Sequence, residues 1–206
     1  MSSSSRHWDE VWSGRDPAAA SWYQIDPARS LELVASSGVG LDEAIIDVGG
    51  GTSALVVRLA RLGHRDLTVL DIARPALDLL DRALVGELGA HAVHLVHADV
   101  VEWRPERTYA LWHDRAVNHF LTDPVQRQQY GALAANTIAP GGHLVLGAFA
   151  TDGPAVCSGL PVHRSDPAAL AAELGPAFAL LSVTRELHET PWHATQSFQY
   201  LLLRRR

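Results

Sequence analysis

Ala44-Ile45-Ile46-Asp47-Val48-Gly49-Gly50-Gly51-Thr52-Ser53 is the stretch on which the reading of the fold turns. Ala44 to Val48 is a short, mostly apolar run, the pattern of a strand buried on both faces. Three glycines end it. Leu55, Val56, Leu59 and Ala60 then recur at helical spacing until Gly63 stops the helix. A strand, a glycine turn and a helix open a βαβ unit.

The same alternation continues downstream. Leu67 to Leu70 predicts a second strand, ending at Asp71. Pro75 opens a helix through Leu77, Leu80, Leu84 and Leu88, closed by Gly89. Strands are expected over 93–96, ending near Asp99, and over 109–113. A helix over 124–138 is broken by Pro140-Gly141-Gly142, and a strand over 143–149 follows. Asp166 caps a helix over 166–174 ahead of Pro167. Runs at 178–184 and 196–203 have no helix between them and predict a hairpin. The fold class is α/β, a Rossmann-like, mostly parallel seven-stranded sheet with helices on both faces and an antiparallel edge strand. One domain spans 1–206, with a core over 44–206 and a cap segment over 1–36. In the cap, Trp8, Trp12, Trp22 and Tyr23 cluster between turns at Asp16-Pro17 and Asp26-Pro27, while residues 1–5 read as a disordered tail.

Composition narrows the function classes. The chain has 206 residues, 47% of them hydrophobic, enough for one substantial core. A net charge of −6 argues against a nucleic-acid partner. All 17 basic residues are Arg, which excludes Schiff-base chemistry on Lys. Cys157 is the single cysteine, so no internal disulfide forms, as in a reducing cytosol. The first residues carry no apolar signal core, and no apolar run is long enough to span a bilayer. A cytoplasmic protein without a membrane partner is expected, and Arg204-Arg205-Arg206 reads as a solvated tail.

The glycine turn lets a ligand approach the main chain. Asp71 follows at about the spacing from which a carboxylate accepts both ribose hydroxyls of an adenosine. Gly49-x-Gly51-x-x-Ala54 also matches the nicotinamide dinucleotide fingerprint, so the turn alone leaves both cofactors open. Asp47, two residues before the first glycine, is placed to orient the loop or meet a methionine ammonium. Asp99, in Ala98-Asp99-Val100, is placed to recognise an adenine amino group. A dehydrogenase would commonly need a separate substrate domain, for which the chain has no room.

Taken together, these stretches resemble the class I S-adenosylmethionine-dependent methyltransferases over residues 44–149. Asp47-x-Gly49-x-Gly51-x-Ser53 is similar to their first motif, Asp71 to the acid ending their second strand, and Ala98-Asp99-Val100 to their adenine-side motif. Ala139-Pro140-Gly141-Gly142 is similar to the entry to their fifth strand. Trp112-His113-Asp114-Arg115-Ala116 is similar to a stretch shared by the small lysine methyltransferases and the thiopurine and tellurite-resistance methyltransferases, although Arg115-Ala116 departs from the Lys-Gly of the former. The resemblance implies S-adenosylmethionine as cofactor, held by Asp47, Gly49, Gly50, Gly51, Ser53, Asp71, Ile72, Asp99, Val100 and Asp114. It implies methyl transfer to a small molecule, with a protein lysine as the alternative acceptor. A nicotinamide-dependent oxidoreductase and a non-catalytic nucleotide-binding module are the readings from other classes.

Methyl transfer is an in-line displacement in which the protein aligns the partners and, where needed, removes a proton. His113 and Asp114 stand at the carboxyl end of their strand, where open α/β sheets bind ligands, and their side chains point to opposite faces. His113 and His119 are the candidate bases. Asp114 is a candidate for the cofactor's methionine end, and Arg115 for an anionic substrate or a pairing with Asp71 or Asp114. Trp12, Trp22, Tyr23, Arg115 and Cys157 are candidate substrate or cap residues, and Trp192 and His193, in the turn of the last hairpin, stand beside Cys157 as candidates for the pocket lining. His91, His94 and His97 do not share one strand face, so no metal site is expected.

Overall fold

The computed structural model describes residues 3–14, 16–88 and 93–206. Helix α1 (Ser3–Trp12) precedes a 3₁₀ turn over Pro17–Ala19 and helix α2 (Ala28–Ser37). The core then runs β1 (Ile45–Val48), α3 (Ala54–Arg61), β2 (Leu67–Asp71), α4 (Arg74–Leu88), β3 (His94–His97), β4 (Tyr109–Arg115), α5 (Pro124–Thr137) and β5 (Ile138–Phe149). A small hairpin, β6 (Val156–Cys157) and β7 (Leu160–Pro161), leads to α6 (Pro167–Glu173), β8 (Phe178–Glu189) and β9 (Thr195–Arg205).

The seven-stranded sheet has the order β3-β2-β1-β4-β5-β9-β8. The hairpin supplies the antiparallel strand: β9 pairs antiparallel with both β5 and β8, one place in from the edge. Strands alternate their side chains between two cores. Ile45, Val69, Leu111 and Val145 face α2, α3 and α4, whereas Ile46, Leu70, Trp112 and Leu144 face α5 and α6. The chain reverses direction of travel across the sheet between β1 and β4, which are neighbours, and the glycine turn lies above that point. Ligands of open α/β sheets bind there.

Three expectations need correction. Ser3, Ser4 and Ser5 belong to α1 rather than a disordered tail, while Met1 and Ser2 lie outside the described residues. Strand β5 begins at Ile138 and includes Pro140-Gly141-Gly142, which bulge out of the ladder as the pairing with β4 jumps from Ile138 to His143. Arg204 and Arg205 complete β9 instead of forming a tail, because β9 pairs with β8 down to Phe178↔Arg205. Gly89 and His91 lie outside the described residues. Among the described residues no helix is long and apolar enough to cross a membrane.

Candidate functional site

The loop after β1 is shaped by close approaches that only glycine permits. Gly49 has φ +65°, and a Cβ there would stand 1.9 Å from Val117 Cγ2. Gly51 has φ +56°, and a Cβ there would stand 2.7 Å from the Trp12 ring. Trp12, on α1, is therefore seated directly on the turn, and it is 7% exposed. Asp71 ends β2 beside it. Its carboxylate accepts the Gly51 N–H and the Ala73 N–H, both at 2.8 Å. Burial outweighs these two bonds and pushes its pKa up to about 6.

Asp47 points to the α2–α3 face of the sheet. Its carboxylate accepts the Ser53 hydroxyl at 2.5 Å, and His113 Nδ1 lies 2.7 Å from its other oxygen. The far ring nitrogen, His113 Nε2, lies 2.9 Å from Ser30 Oγ. Asp47 and His113 are opposite one another in the β1–β4 register, which is why they meet. Ser53 also accepts the Val56 N–H, so it is the N-cap of α3.

Two cavities open above the strand ends. Gly49, Asp71, Ile72, Asp99, Val100, Arg115 and Cys157 line the first, together with Trp8, Trp12, Trp22, Val117, Phe120 and Leu160. Asp47, Gly49, Gly50, Ser53, His113, Ser30, Tyr23 and Arg115 line the second, which also touches Trp12 and Trp22. Trp12, Trp22, Gly49 and Arg115 belong to both, so the two tryptophans form a partition. They meet edge to face at 5.8 Å, and Trp8 packs on Trp22 at 6.0 Å and on Phe120 at 5.0 Å. Burial raises the Asp99 carboxyl above its ordinary range.

Arg115, the last residue of β4, is fixed on three sides. Its Nε donates to Tyr200 Oη at 2.9 Å, its Nη1 donates to the Trp22 carbonyl at 3.0 Å, and its guanidinium lies 4.5 Å over the Phe198 ring. It pairs with neither Asp71 nor Asp114. Its Nη2 is buried and has no hydrogen-bond partner among the described residues. Ala116, next in the chain, has φ +71°, a conformation that strains a residue with a side chain.

Several expected site residues turn out to serve other ends. Asp114 faces α5, away from both cavities. Its carboxylate accepts the Val117 and Asn118 N–H groups and the Tyr130 hydroxyl, the last at 2.5 Å. It ties the end of β4 to α5 and reaches neither cavity; burial pushes its pKa up to about 6. His119 lies between the rings of Phe120 and Phe149, with centroids at 4.5 and 4.8 Å, and lines neither cavity. Burial, aided by the Arg115 charge, pushes its pKa down to about 3, which removes it as a base near neutral pH. His113 has both ring nitrogens engaged, so it has no free lone pair for an acceptor's proton. Gly51 lies under Trp12 rather than on a cavity wall, and Trp192 is exposed at the β8–β9 turn. His97 Nε2 lies 3.0 Å from the Ile72 carbonyl. Trp8, expected in the cap, does line the first cavity, whereas Phe120 and Ser30 were not anticipated. Trp8 sits one helical turn before Trp12, a spacing that could have placed both on one face; nothing local marks Ser30.

No family model and no curated protein matches the chain. Solved structures do. A protein described for the conversion of a disulfide bond into a thioacetal group during echinomycin biosynthesis is 16% identical, with a TM-score of 0.79 over 98% of this chain and 93% of that one. The N-methyltransferase NodS from Bradyrhizobium japonicum WM9, in complex with S-adenosylhomocysteine, is 16% identical, with a TM-score of 0.73 over 98% of both chains. The 1,6-didemethyltoxoflavin-N1-methyltransferase of Burkholderia thailandensis is 21% identical, with a TM-score of 0.71 over 98% of this chain and 84% of that one. The chain has the Rossmann-like fold of the S-adenosylmethionine-dependent methyltransferases.

Proposed function

We propose that this protein is an S-adenosylmethionine-dependent methyltransferase acting on a small molecule. The observation that carries the reading is the pair of buried carboxylates, Asp47 and Asp71, flanking the glycine turn at the junction of β1 and β4. A dinucleotide would bring its diphosphate to the N-terminus of α3. That end is already capped by Ser53, whose hydroxyl donates to the Asp47 carboxylate. An anion there meets a negative charge, whereas a sulfonium with an ammonium group is attracted. S-adenosylmethionine supplies an electrophilic methyl group when bound. In this reading Asp71 takes the ribose hydroxyls, Asp99 and Val100 flank the adenine, and Asp47 with Gly49 lies toward the methionine end.

On the acceptor side the walls are aromatic, and the charged residue is Arg115, which disfavours a lysine ammonium and thus a protein lysine as acceptor. The free thiol of Cys157 suits a cytoplasmic setting. Titration calorimetry tests the cofactor: S-adenosylhomocysteine should bind and NADH should not, and the reverse result refutes the reading. Asp71→Ala should weaken S-adenosylhomocysteine by about 1–3 kcal/mol, the worth of hydrogen bonds to a charged group.

A further inference from the structure

An amine, hydroxyl or thiol must lose a proton as it is methylated, so a pocket built for one needs a group that can take it. Away from Asp71 and Asp99, the first cavity holds no such group among the described residues. Its walls there are Trp8, Trp22, Phe120, Leu160, Cys157 and Arg115. Burial raises the Cys157 thiol, which keeps it protonated at neutral pH. His119 stands behind Phe120. What the cavity does offer is one cationic side chain, the Arg115 guanidinium. Arg115 Nη2 is shielded from water and partnerless, while Tyr200, Trp22 and Phe198 hold the rest of the group still. A buried donor left without an acceptor is costly, and an oxyanion would satisfy it with a strong, charge-assisted bond.

We propose that the methyl acceptor is a carboxylate on a flat apolar molecule, recognised by Arg115 Nη2. This rests on the methyltransferase reading above and names its substrate class. A thiolate carries its charge on one atom, and a guanidinium bound to that atom would blunt its attack. A carboxylate gives one oxygen to Nη2 and leaves the other free. That oxygen forms a bond to the methyl carbon as the methyl–sulfur bond of the sulfonium breaks. The electron pair stays on sulfur, the product is a methyl ester, and no proton moves. Trp8, Trp22 and Phe120, packed edge to face at 5.0–6.0 Å, supply flat apolar walls that exclude water.

Benzoate and its neutral isostere benzamide are suitable probes, because Trp8, Trp12 and Trp22 border the cavity and report its occupancy by fluorescence. With saturating S-adenosylhomocysteine, the parent protein should bind benzoate about tenfold or more tightly than benzamide. Arg115→Gln should abolish that preference and Arg115→Lys should keep part of it, with S-adenosylhomocysteine affinity by calorimetry unchanged within about threefold. Equal binding of the two probes by the parent overturns the proposal without recourse to any variant. So does an Arg115→Gln protein that loses S-adenosylhomocysteine affinity and keeps the benzoate preference, since Nη2 would then serve the cofactor. A parent protein that fails to bind S-adenosylhomocysteine overturns the methyltransferase reading itself, a result distinct from either.

Discussion

Replacing His119 with Leu should stabilise the protein, and increasingly so as the pH falls. The ring is 1% exposed, and among the described residues neither nitrogen has a hydrogen-bond partner. Burial holds its pKa at about 3, against an ordinary 6.5. Between those values the unfolded chain binds a proton that the folded chain refuses, so folding stability drops as pH drops. Each pH unit below 6.5 costs about 1.4 kcal/mol, or about 2 kcal/mol by about pH 5. At about pH 7.5 the orphaned polar atoms still cost about 1–3 kcal/mol, offset by about 0.5–1.5 kcal/mol of lost ring contact with Phe120 and Phe149. The variant should therefore be about 1 kcal/mol more stable at about pH 7.5 and about 3 kcal/mol more stable at about pH 5. Asp71 and Asp114 have the opposite dependence, since their raised pKa values make stability fall as pH rises from 3.8 to about 6. They are common to both proteins and cancel in the difference. Urea unfolding followed by circular dichroism at the two pH values measures the gap. A gap that does not widen would mean that the ring is protonated or hydrogen-bonded in the folded state, and the argument against His119 as a base would fall with it.

Three other outcomes follow from the same geometry. Asp114→Asn should cost about 2 kcal/mol in denaturant unfolding, because three donors share that carboxylate. Its S-adenosylhomocysteine affinity should stay within about twofold of the parent, and a cofactor-first effect would return Asp114 to the cleft. Since Asp71 titrates at about 6 and would serve the ribose as a carboxylate, calorimetry should find S-adenosylhomocysteine affinity falling about tenfold per pH unit below that value. A flat profile would remove the ribose from Asp71. Gly51→Ala places a methyl group 2.7 Å from Trp12 at φ +56°, so it should cost at least about 1–2 kcal/mol and red-shift tryptophan emission as Trp12 is displaced. Unchanged emission would mean that Trp12 does not rest on the turn.

Strands β1 and β2 were legible because each is a short, mostly apolar run followed by glycine or ended by an acid, and burial on both faces leaves little else such a run can be, whereas β3 is half-exposed with a histidine at each end. The boundaries that slipped are those where tertiary pairing overrode a local breaker. Pro140 and Gly141 read as the end of an element, yet β5 carries on across them as an unpaired bulge, held by β4 at Ile138 before it and by β4 and β9 from His143 after it. Likewise Arg204 and Arg205 look solvated by composition, but the ladder to β8 gives their backbone groups partners. Helix α1 lacked the apolar count of a core helix. Its two tryptophans, Trp8 and Trp12, carry the packing of a longer apolar stripe, with Trp12 against Ala73 and Ala76.

For the site, the chain told which residues stand at the strand ends but not which side of the sheet each one serves. His113 and Asp114 are neighbours on β4, and alternation sends them to opposite faces. Only the register fixes the assignment: His113 lies opposite Asp47 on β1, whereas Asp114 lies opposite Val48 on the α5 side. There the Tyr130 hydroxyl and two backbone donors engage its carboxylate. The expected base therefore became a bridge between Asp47 and Ser30, and the expected cofactor ligand became a brace for α5. Arg115, one residue further on, returns to the His113 face and reaches both cavities. Its importance is invisible to spacing, because it depends on Tyr200 and the Trp22 carbonyl, brought from 85 and 93 residues away, leaving one of its donors unmatched. A cleft whose histidines are satisfied or walled off, and whose arginine keeps an unmatched donor, is the ground for the proposal that it holds an anion in line rather than taking a proton from a neutral acceptor.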